Sequence, residues 1–445
     1  MDTSIFLKPL AVVGIVYAAL ACRAQWNRIV IDPFHPRLAY RILICFTLFY
    51  PLISSSLVDG FDEKTKWIIL IAAFFFLLII DIADALKRPA IDFRTLYNDS
   101  QQDPAVANLF LFVFIGGWIW RVFALQVGLL QGTFLATQLE TTDYGNFVGQ
   151  LNNLSLIGFF GWLIFHRAHS VQKWIYLMFL LEIVWAFISG SKIAIFYVMF
   201  PAAIIFFQRG WFRPNLKGFV VGAIIGVIVL QVSFALVTSY RIGVQVAIAR
   251  GSDLSVAAIA DGATQAFELI HDTTTRESDE SVNPGVSGRL NWAMYFGSLL
   301  ERPDLTKKLW MGSTLIPIFA WWIPRFLWEN KPTVSIGAWY GENVLGWTYQ
   351  TRSEGAITIW GDGYLNFGLV GVAVFSMIWV VITYYLYEKL QKKGGWGLLV
   401  LSLVYVRLLL GLEQNIAAPL VAFQLQLLVI WGIWVVANRQ QKNVI

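Results

Sequence analysis

The sequence predicts an all-α polytopic membrane protein, and its composition and its pattern of apolar segments both support this fold class. Hydrophobic residues make up 57% of the 445-residue chain and charged residues only 14%, whereas soluble domains carry about 25% charged residues. A water-exposed surface cannot be covered with so few charges. Aromatic residues reach 16%, and such rings are enriched at membrane interfaces. Apolar stretches of about 20 residues, the length that crosses a bilayer core, recur along the chain.

About eleven such stretches follow one another. Because unpaired backbone groups are costly in hydrocarbon, each stretch is expected to form a helix. We place the predicted spans at residues 5–22, 39–58, 67–86, 107–130, 148–166, 174–188, 190–207, 216–238, 357–386, 396–410 and 416–437.

Lysine and arginine residues in the short connections predict the orientation of these spans. The odd-numbered loops and the C-terminal tail are rich in basic residues, whereas the N-terminus and the even-numbered short loops hold only Lys8, Lys64, Lys66 and Lys192. Basic loops tend to stay in the cytoplasm. We therefore expect the N-terminus outside and the C-terminus in the cytoplasm.

One connection, residues 239–356, is far longer than the others and falls on the outer side. It contains amphipathic stretches such as 244–249 and 254–269. Its run Leu309–Trp328 is apolar enough to form a twelfth span, but its prolines favour a re-entrant or interfacial element. Connections this long inside a compact protein are usually functional. We therefore divide the chain into an N-terminal bundle (1–238), an external loop (239–356) and C-terminal spans (357–445).

Ionisable residues inside the predicted spans are candidate site residues, because each costs about 2.5–3.5 kcal/mol on insertion scales. Asp81 and Asp84 lie at an inner boundary, where side chains can reach water. An Arg121–Glu182 pair could simply lock two helices. Most of the set nevertheless lies toward the outer ends, which indicates a water-filled cavity that opens to the outer face: Arg121, Glu182, Lys192, Asp362, Arg407 and Glu413.

Several basic residues of the external loop stand beside Gly, Pro or Trp rather than in polar runs. Arginine on such a constrained backbone can bind an anionic oxygen with two hydrogen bonds. Contact with solvent or with lipid headgroups is the alternative interpretation. The stretches are SYRIG with Arg241, SGRLNW with Arg289, IPRFLWENKPT with Arg325 and Lys331, and TRSEG with Arg352.

Four stretches resemble motifs of the O-antigen polymerase and ligase superfamily. SGRLNWAMYFGSLLERPDLTKKLWMGS (Ser287–Ser313) resembles the Arg-x-x-Trp element of the outer loop in these proteins. IPRFLWENKP (Ile323–Pro332) is similar to a stretch frequent in Wzy-type oligosaccharide repeat-unit polymerases. GDGYLNFGLVGV (Gly361–Val372) resembles the opening of the helix that follows the loop. FISGSK (Phe187–Lys192) resembles their Ser-Gly-Ser-Arg turn, with Lys where Arg is commoner.

The resemblance implies a metal-independent glycosyltransferase of GT-C-like fold at the periplasmic face of the bacterial inner membrane. It would use undecaprenyl-diphosphate-linked oligosaccharides as donor and acceptor, without a cofactor, and with a chain-length regulator as a further partner. Polymerisation of repeat units into O-antigen, capsule or exopolysaccharide is the first expectation. A ligase that transfers finished glycan to lipid A core or protein, and a lipid-linked sugar transporter or flippase, are the alternatives. The scattered basic residues and the net charge of +5 give no support to nucleic-acid binding.

Within this interpretation, fixed cations would stabilise the departing diphosphate, and a base would accept the proton of the acceptor hydroxyl. His271 could instead belong to a solvated loop, and Glu354 could cap a helix. Interfacial anchoring also explains the tryptophans. No zinc or nucleotide motif such as HExxH or GxxxxGK[ST] occurs in the external loop, so no metal is expected. The candidates are Arg241, Arg289, Arg325, Lys331 and Lys192 for the diphosphate, Asp362, Glu354 and His271 as bases, and Trp292, Trp328 and Arg352 for the substrate.

Overall fold

A computed structural model gives the structure of most of the chain. In the described parts, about 85% of the residues are helical and there is no strand. The predicted all-α class is therefore confirmed. The described residues are 4–24, 34–54, 56–86, 103–126, 151–166, 172–189, 192–209, single positions between 226 and 240, 291–323, 327–328, 330–346 and 355–442.

The chain forms two compact units, each assembled from separate segments. Unit 1 comprises Met1–Leu96, Ser287–Lys392 and Arg407–Val421, and unit 2 comprises Tyr97–Val286, Lys393–Val406 and Ala422–Ile445. These units group the segments by packing, whereas the predicted three-part division follows membrane topology. In unit 1, part of the external loop therefore belongs to the same body as the first membrane helices.

Unit 1 contains long apolar helices together with short helices of the external loop. The chain passes from one helix to the next through a π-helical turn at Cys45–Phe49 and 3₁₀ turns at Ser313–Leu315 and Gly411–Glu413. The helices are Ser4–Ala24, Pro36–Ile44, Tyr50–Ser54, Ser56–Asp59, Glu63–Leu86, Trp292–Leu300, Pro303–Thr306, Ile316–Ala320, Gly337–Asn343 and Thr358–Gln391.

Unit 2 contains the helices Pro104–Gln126, Leu154–Phe165, Gln172–Ile188, Lys192–Gln208 and Gly394–Val400, and a π-helical turn at Leu401–Tyr405. The helices Val406–Leu410 and Ala417–Lys442 contribute residues to both units.

Seven of the predicted spans coincide with helices that are long and apolar enough to cross a membrane. The chain is accordingly a membrane protein. The predicted spans at 148–166, 174–188 and 190–207 coincide with shorter helices of unit 2. The predicted span at 216–238 lies largely outside the described residues. The seven helical regions are Phe6–Arg23, Pro36–Ser54, Glu63–Leu86, Pro104–Gln126, Thr358–Gln391, Gly394–Glu413 and Ala417–Arg439.

The run Leu309–Trp328 does not form a spanning helix in its described part. It contains a 3₁₀ turn and the five-residue helix Ile316–Ala320. At the α-helical rise, five residues extend only about 8 Å, far less than a bilayer core of ~30 Å. This outcome agrees with the expectation that the prolines prevent a continuous twelfth span.

The predicted continuous span at 357–386 is wrong at its start, because the helix reverses direction. Phe367 and Gly368 have non-helical backbone angles, and Gly368 lies at φ 62° and ψ −148°, a region essentially restricted to glycine. A Cβ atom built on Gly371 would lie 1.9 Å from the Gly363 carbonyl oxygen. Eight residues of straight helix would separate these backbones by about 12 Å. Residues 358–366 therefore fold back onto the long helix 369–391, and we call this element the hairpin.

The external loop packs against the connection between two membrane helices of unit 1. Asp62 donates its backbone N–H to Glu301 Oε1 at 2.9 Å. Nearby, the ring of Phe61 lies so close to Gly297 that a Cβ atom there would be 2.3 Å from Phe61 Cε2. Both segments are predicted to lie outside the membrane on the same side. Their contact is consistent with that predicted placement.

Candidate functional site

Asp362 is the predicted site residue with the most defined surroundings. It lies in the first arm of the hairpin and is 0% exposed. Its Oδ1 accepts a hydrogen bond from Asn366 Nδ2 at 3.0 Å, and its Oδ2 accepts one from the backbone N–H of Ile416 at 2.8 Å. Ile416 precedes the final helix, whose N-terminal end carries partial positive charge. The carboxylate thus links the hairpin to the start of that helix.

Asn366 extends this network to the external loop. Its Oδ1 accepts a hydrogen bond from the Gly312 backbone N–H at 2.8 Å, and its Nδ2 donates to Thr314 Oγ1 at 2.7 Å. The backbone adds to this contact, since Met311 donates its N–H to the Asn366 carbonyl at 3.2 Å. We call Asp362, Asn366, Gly312 and Thr314 the Asp362 network. Two separate sequence motifs meet in it.

The first arm of the hairpin begins at a strained residue. Thr358 is fully buried and has a φ of 63°, which β-branched residues rarely adopt. Its Oγ1 accepts a hydrogen bond from the Gly361 backbone N–H at 3.2 Å and so satisfies one donor in the first turn of the arm. Strain of this kind costs about 1–3 kcal/mol and often occurs near functional sites. The hairpin therefore has an unusual backbone at both ends of its first arm.

Lys331, predicted to bind the diphosphate, lies in unit 1 and is 8% exposed. Its Nζ donates hydrogen bonds to the carbonyl oxygens of Trp321 and Ile323, each at 2.8 Å. These hydrogen bonds connect the end of the run Leu309–Trp328 to the segment that begins at residue 330. In this structure the ammonium group thus has a structural function, and its contact with a diphosphate stays a prediction.

The two tryptophans predicted to bind substrate have different environments. Trp292 is 1% exposed, and its ring lies 5.9 Å from the ring of Trp360 between centroids. Both indole N–H groups lack a hydrogen-bond partner among the described residues. Trp328 is exposed. Trp292 therefore packs as a core residue of unit 1, whereas the ring of Trp328 is accessible, and both binding roles stay predictions.

The remaining predicted site residues lie outside the described part of the structure, either wholly or by their side chains. The side chain of Lys192, which begins the helix Lys192–Gln208, lies outside the described part. The others lie wholly outside the described residues: Arg241, His271, Arg289, Arg325, Arg352 and Glu354.

Burial keeps one phenol of the external loop neutral. Tyr340 is fully buried and donates a hydrogen bond to the Tyr295 carbonyl oxygen. Desolvation raises the pKa of Tyr340 well above its ordinary value. The phenol therefore acts as a fixed donor that joins the helix Gly337–Asn343 to the helix Trp292–Leu300.

In unit 2, Arg121 and Glu182 form the buried ion pair that the sequence suggests. Arg121 Nη1 and Nη2 donate to the two Glu182 oxygens at 2.9 and 3.0 Å. The guanidinium carbon lies 5.1 and 4.8 Å from the ring centroids of Trp118 and Trp185. Arg121 Nε donates to the Asn152 carbonyl at 3.0 Å. The pair has well-matched hydrogen bonds and joins two helices, as a structural lock requires.

A second charged cluster lies at the other end of unit 1, away from the external-loop contact. Arg41 pairs with Asp81 at 2.5 Å and with Asp84 at 3.1 Å, and Arg37 pairs with Asp84 at 2.5 Å. The Tyr384 hydroxyl donates to Asp84 Oδ1 at 3.0 Å. The sequence places both aspartates at an inner boundary where side chains can reach water, and the Asp81 side chain is 28% exposed. They also bind arginines, and with Tyr384 they tie three membrane helices together.

Sequence reasoning missed Asn366, Thr314 and Gly312 as members of the site. A signal for Asn366 was available, because Asp362 and Asn366 are four residues apart and so share one helix face. The contact with Thr314 and Gly312 joins positions more than fifty residues apart, and local pattern gives no signal for it.

Within the described residues, no group of three or more His, Cys, Asp or Glu side chains is arranged to hold a metal ion. Comparison of the chain with protein-family models, with curated proteins and with solved structures finds no match.

Proposed function

We propose that the protein is a membrane glycosyltransferase that polymerises undecaprenyl-diphosphate-linked oligosaccharide repeat units into a surface polysaccharide. The single observation that carries this proposal is the Asp362 network. It joins the end of the Ser287–Ser313 stretch to the Gly361–Val372 stretch through the hydrogen bond from the Gly312 N–H to Asn366 Oδ1, and backbone bonds from Trp310 and Met311 add to this contact. Both stretches resemble repeat-unit polymerases. Motifs that serve one reaction are expected to meet in space even when they are far apart in sequence.

Orientation follows from the basic residues. The long helix 369–391 is followed by Lys392 and Lys393, and basic residues mark the cytoplasmic side. The start of this helix, the hairpin and the external loop then lie on the periplasmic side of the bacterial inner membrane. That is the side on which a lipid-linked repeat unit would be polymerised.

The proposed reaction needs positive charge at the leaving group. As the acceptor hydroxyl attacks the anomeric carbon, the bond to the polyprenyl diphosphate breaks and the diphosphate takes the electron pair. Fixed cations in a partly dry site stabilise this charge without a metal. The residues proposed for this role are Arg241, Arg325 and Lys331, with Arg289 and Lys192 as further candidates.

The proton of the acceptor hydroxyl must pass to a base within hydrogen-bond reach. Asp362 is fully buried, and each of its oxygens accepts a hydrogen bond. Its geometry favours a positioning role, in which it holds the hairpin in place. Glu354 and His271 are then the leading candidates for the base.

The direct test uses purified protein in detergent with lipid-linked repeat units as the only substrate. We expect the wild-type protein to produce a ladder of longer lipid-linked glycans. Arg289→Ala and Arg325→Ala should each reduce elongation by about 100-fold or more, because each would lose a charge that stabilises the leaving group. Arg302→Ala is the matched control, since Arg302 is an exposed arginine of the same loop that pairs only weakly with Asp304.

Normal ladders from both variants would refute the assignment. The ligase alternative predicts a different result in a deletion strain, where long unligated polymer would accumulate instead of single repeat units. A transporter would not elongate glycans in detergent, because it moves its substrate between two compartments and forms no glycosidic bond.

A further inference from the structure

The described part of the run Leu309–Trp328 carries an exposed apolar surface. Met311, Phe319 and Trp322 are 72%, 77% and 67% exposed. In a membrane protein such side chains face lipid or another protein rather than water, and here they lie outside the long spanning helices. We call this set the loop surface, and it consists of Leu309, Met311, Ile316, Phe319, Trp322, Leu327 and Trp328.

The loop surface is held in a fixed position relative to the hairpin. Trp310 donates its backbone N–H to the Leu365 carbonyl at 2.9 Å, and Met311 donates to the Asn366 carbonyl at 3.2 Å. Near its other end, Lys331 Nζ donates hydrogen bonds to the carbonyl oxygens of Trp321 and Ile323. These hydrogen bonds hold the segment beside Leu365 and Asn366. Its exposed side chains therefore have a defined position relative to the long helix 369–391.

The loop surface lies beside the N-terminal end of a helix that is long enough to span the membrane. Residues 369–391 extend about 34 Å at the α-helical rise, which matches a bilayer core of ~30 Å. Leu369 and Val370, the first two residues, are exposed apolar side chains. Met311 donates its backbone N–H to the carbonyl of Asn366, which lies three residues before Leu369. The loop surface thus adjoins the beginning of the lipid-facing surface of this helix.

The flanking charges fit the same location. Lys307 and Lys308 are exposed and directly precede Leu309. Basic residues beside exposed Trp, Phe and Leu side chains are typical of segments that lie in the membrane interface, where the apolar groups enter the acyl boundary and the ammonium groups meet the headgroups.

We propose that the loop surface is a lipid-docking element whose apolar side chains lie in the acyl boundary of the membrane. Its occupant is the bilayer itself and not a partner protein. Through Trp310, Met311 and Gly312, the element fixes the Asp362 network at headgroup depth. This inference concerns membrane position only, so it stands or falls independently of the proposed enzymatic activity.

The test measures depth in lipid nanodiscs without any substrate. Cys22 and Cys45 are replaced by alanine, and a spin label is attached to Phe319→Cys or Trp322→Cys. Power saturation then compares accessibility to oxygen, which concentrates in the acyl region, with accessibility to a water-soluble nickel chelate. We expect oxygen to dominate at both positions. Asp304→Cys, at an exposed site of the same loop, is the matched control and should favour the nickel chelate.

A water-like response at positions 319 and 322 would overturn the proposal. So would protection from both reagents, because that result indicates cover by a second copy or another protein. Wild-type protein provides an independent measurement. Lipids that carry a photoreactive diazirine in the acyl chain should form adducts on the peptide that contains residues 309–323, and mass spectrometry that finds adducts only on spanning helices would contradict the inference.

Discussion

Asp362 and Arg121 are both buried ionisable residues, but their partners give them different roles. Arg121 has a carboxylate partner and two aromatic faces. Asp362 is held by the neutral donors Asn366 and Ile416. An ion pair between two helices requires no ligand to explain it. Asp362 is a buried carboxylate held by backbone and amide donors where two motifs meet. This arrangement indicates a site whose geometry is fixed by hydrogen bonds.

The Asp362 network predicts that Asn366 stabilises unit 1 through its amide group. Asn366→Asp keeps the shape but removes the donor and places a second carboxylate beside Asp362. The buried groups left without partners should cost about 1–3 kcal/mol. We expect a lower midpoint of thermal unfolding for the purified protein. Asn343→Asp is the control, since among the described residues its amide donates within its own short helix, to the Trp339 carbonyl. Equal destabilisation by the two variants would count against the network.

The Arg121–Glu182 pair predicts a large coupling in a double-mutant cycle. Arg121→Met or Glu182→Met alone leaves an uncompensated buried charge and should cost about 3–5 kcal/mol. The double variant removes both charges and should recover much of that loss. Thermal unfolding of all four proteins measures the coupling. Additive losses would show that the two residues act separately and that the lock does not exist.

At the scale of elements, small residues allow two helices of unit 2 to approach closely. A Cβ atom on Gly117 would lie 2.3 Å from the Ser155 backbone nitrogen, and one on Gly158 would lie 2.3 Å from the Phe114 nitrogen. Small residues at such crossings are common in membrane helices, where packing replaces the hydrophobic effect as the main attraction. These glycines therefore set the distance between the helices Pro104–Gln126 and Leu154–Phe165.

This contact provides a prediction with a neighbouring control. Gly117→Ala must push the two helices apart, because a backbone atom occupies the position of the new methyl group. We expect it to destabilise the protein by about 1–3 kcal/mol. Gly116→Ala lies one residue earlier in the same helix and meets nothing within 4 Å, so its thermal unfolding should match the wild type. The idea fails if the two variants have the same stability.

The hairpin shows where sequence reasoning succeeds and where it stops. Hydropathy located the apolar residues of the span at 357–386, but an average over a window does not detect a reversal of the backbone. Gly363, Gly368 and Gly371 carried that information, since one has a positive φ and two are in close contact. Likewise, Asp362 was found as a charge at membrane depth. Its contacts with the external loop depend on tertiary packing, which no local pattern encodes.

At the scale of the molecule, unit 1 has two chemically different ends. One end contains the external-loop contacts, the hairpin and the Asp362 network. The other contains the paired charges of Arg37, Arg41, Asp81 and Asp84. A helix that crosses a membrane places its two ends on opposite sides. Among the described residues of unit 1, this grouping is consistent with the alternation of spans inferred from hydropathy and basic residues, and the side that each end faces stays a prediction.

Which end faces the cytoplasm can be determined by labelling single cysteines in intact cells. In a background without Cys22 and Cys45, Asp304→Cys reports the external-loop end and Lys392→Cys reports the end of the long helix. The basic residues predict that a membrane-impermeant maleimide labels position 304 in intact cells, while position 392 reacts only after permeabilisation. The reverse pattern would invert the topology and place the Asp362 network in the cytoplasm, where a periplasmic polymerase cannot have its site. Labelling of both positions in intact cells would mean that the hairpin's long helix does not cross the membrane.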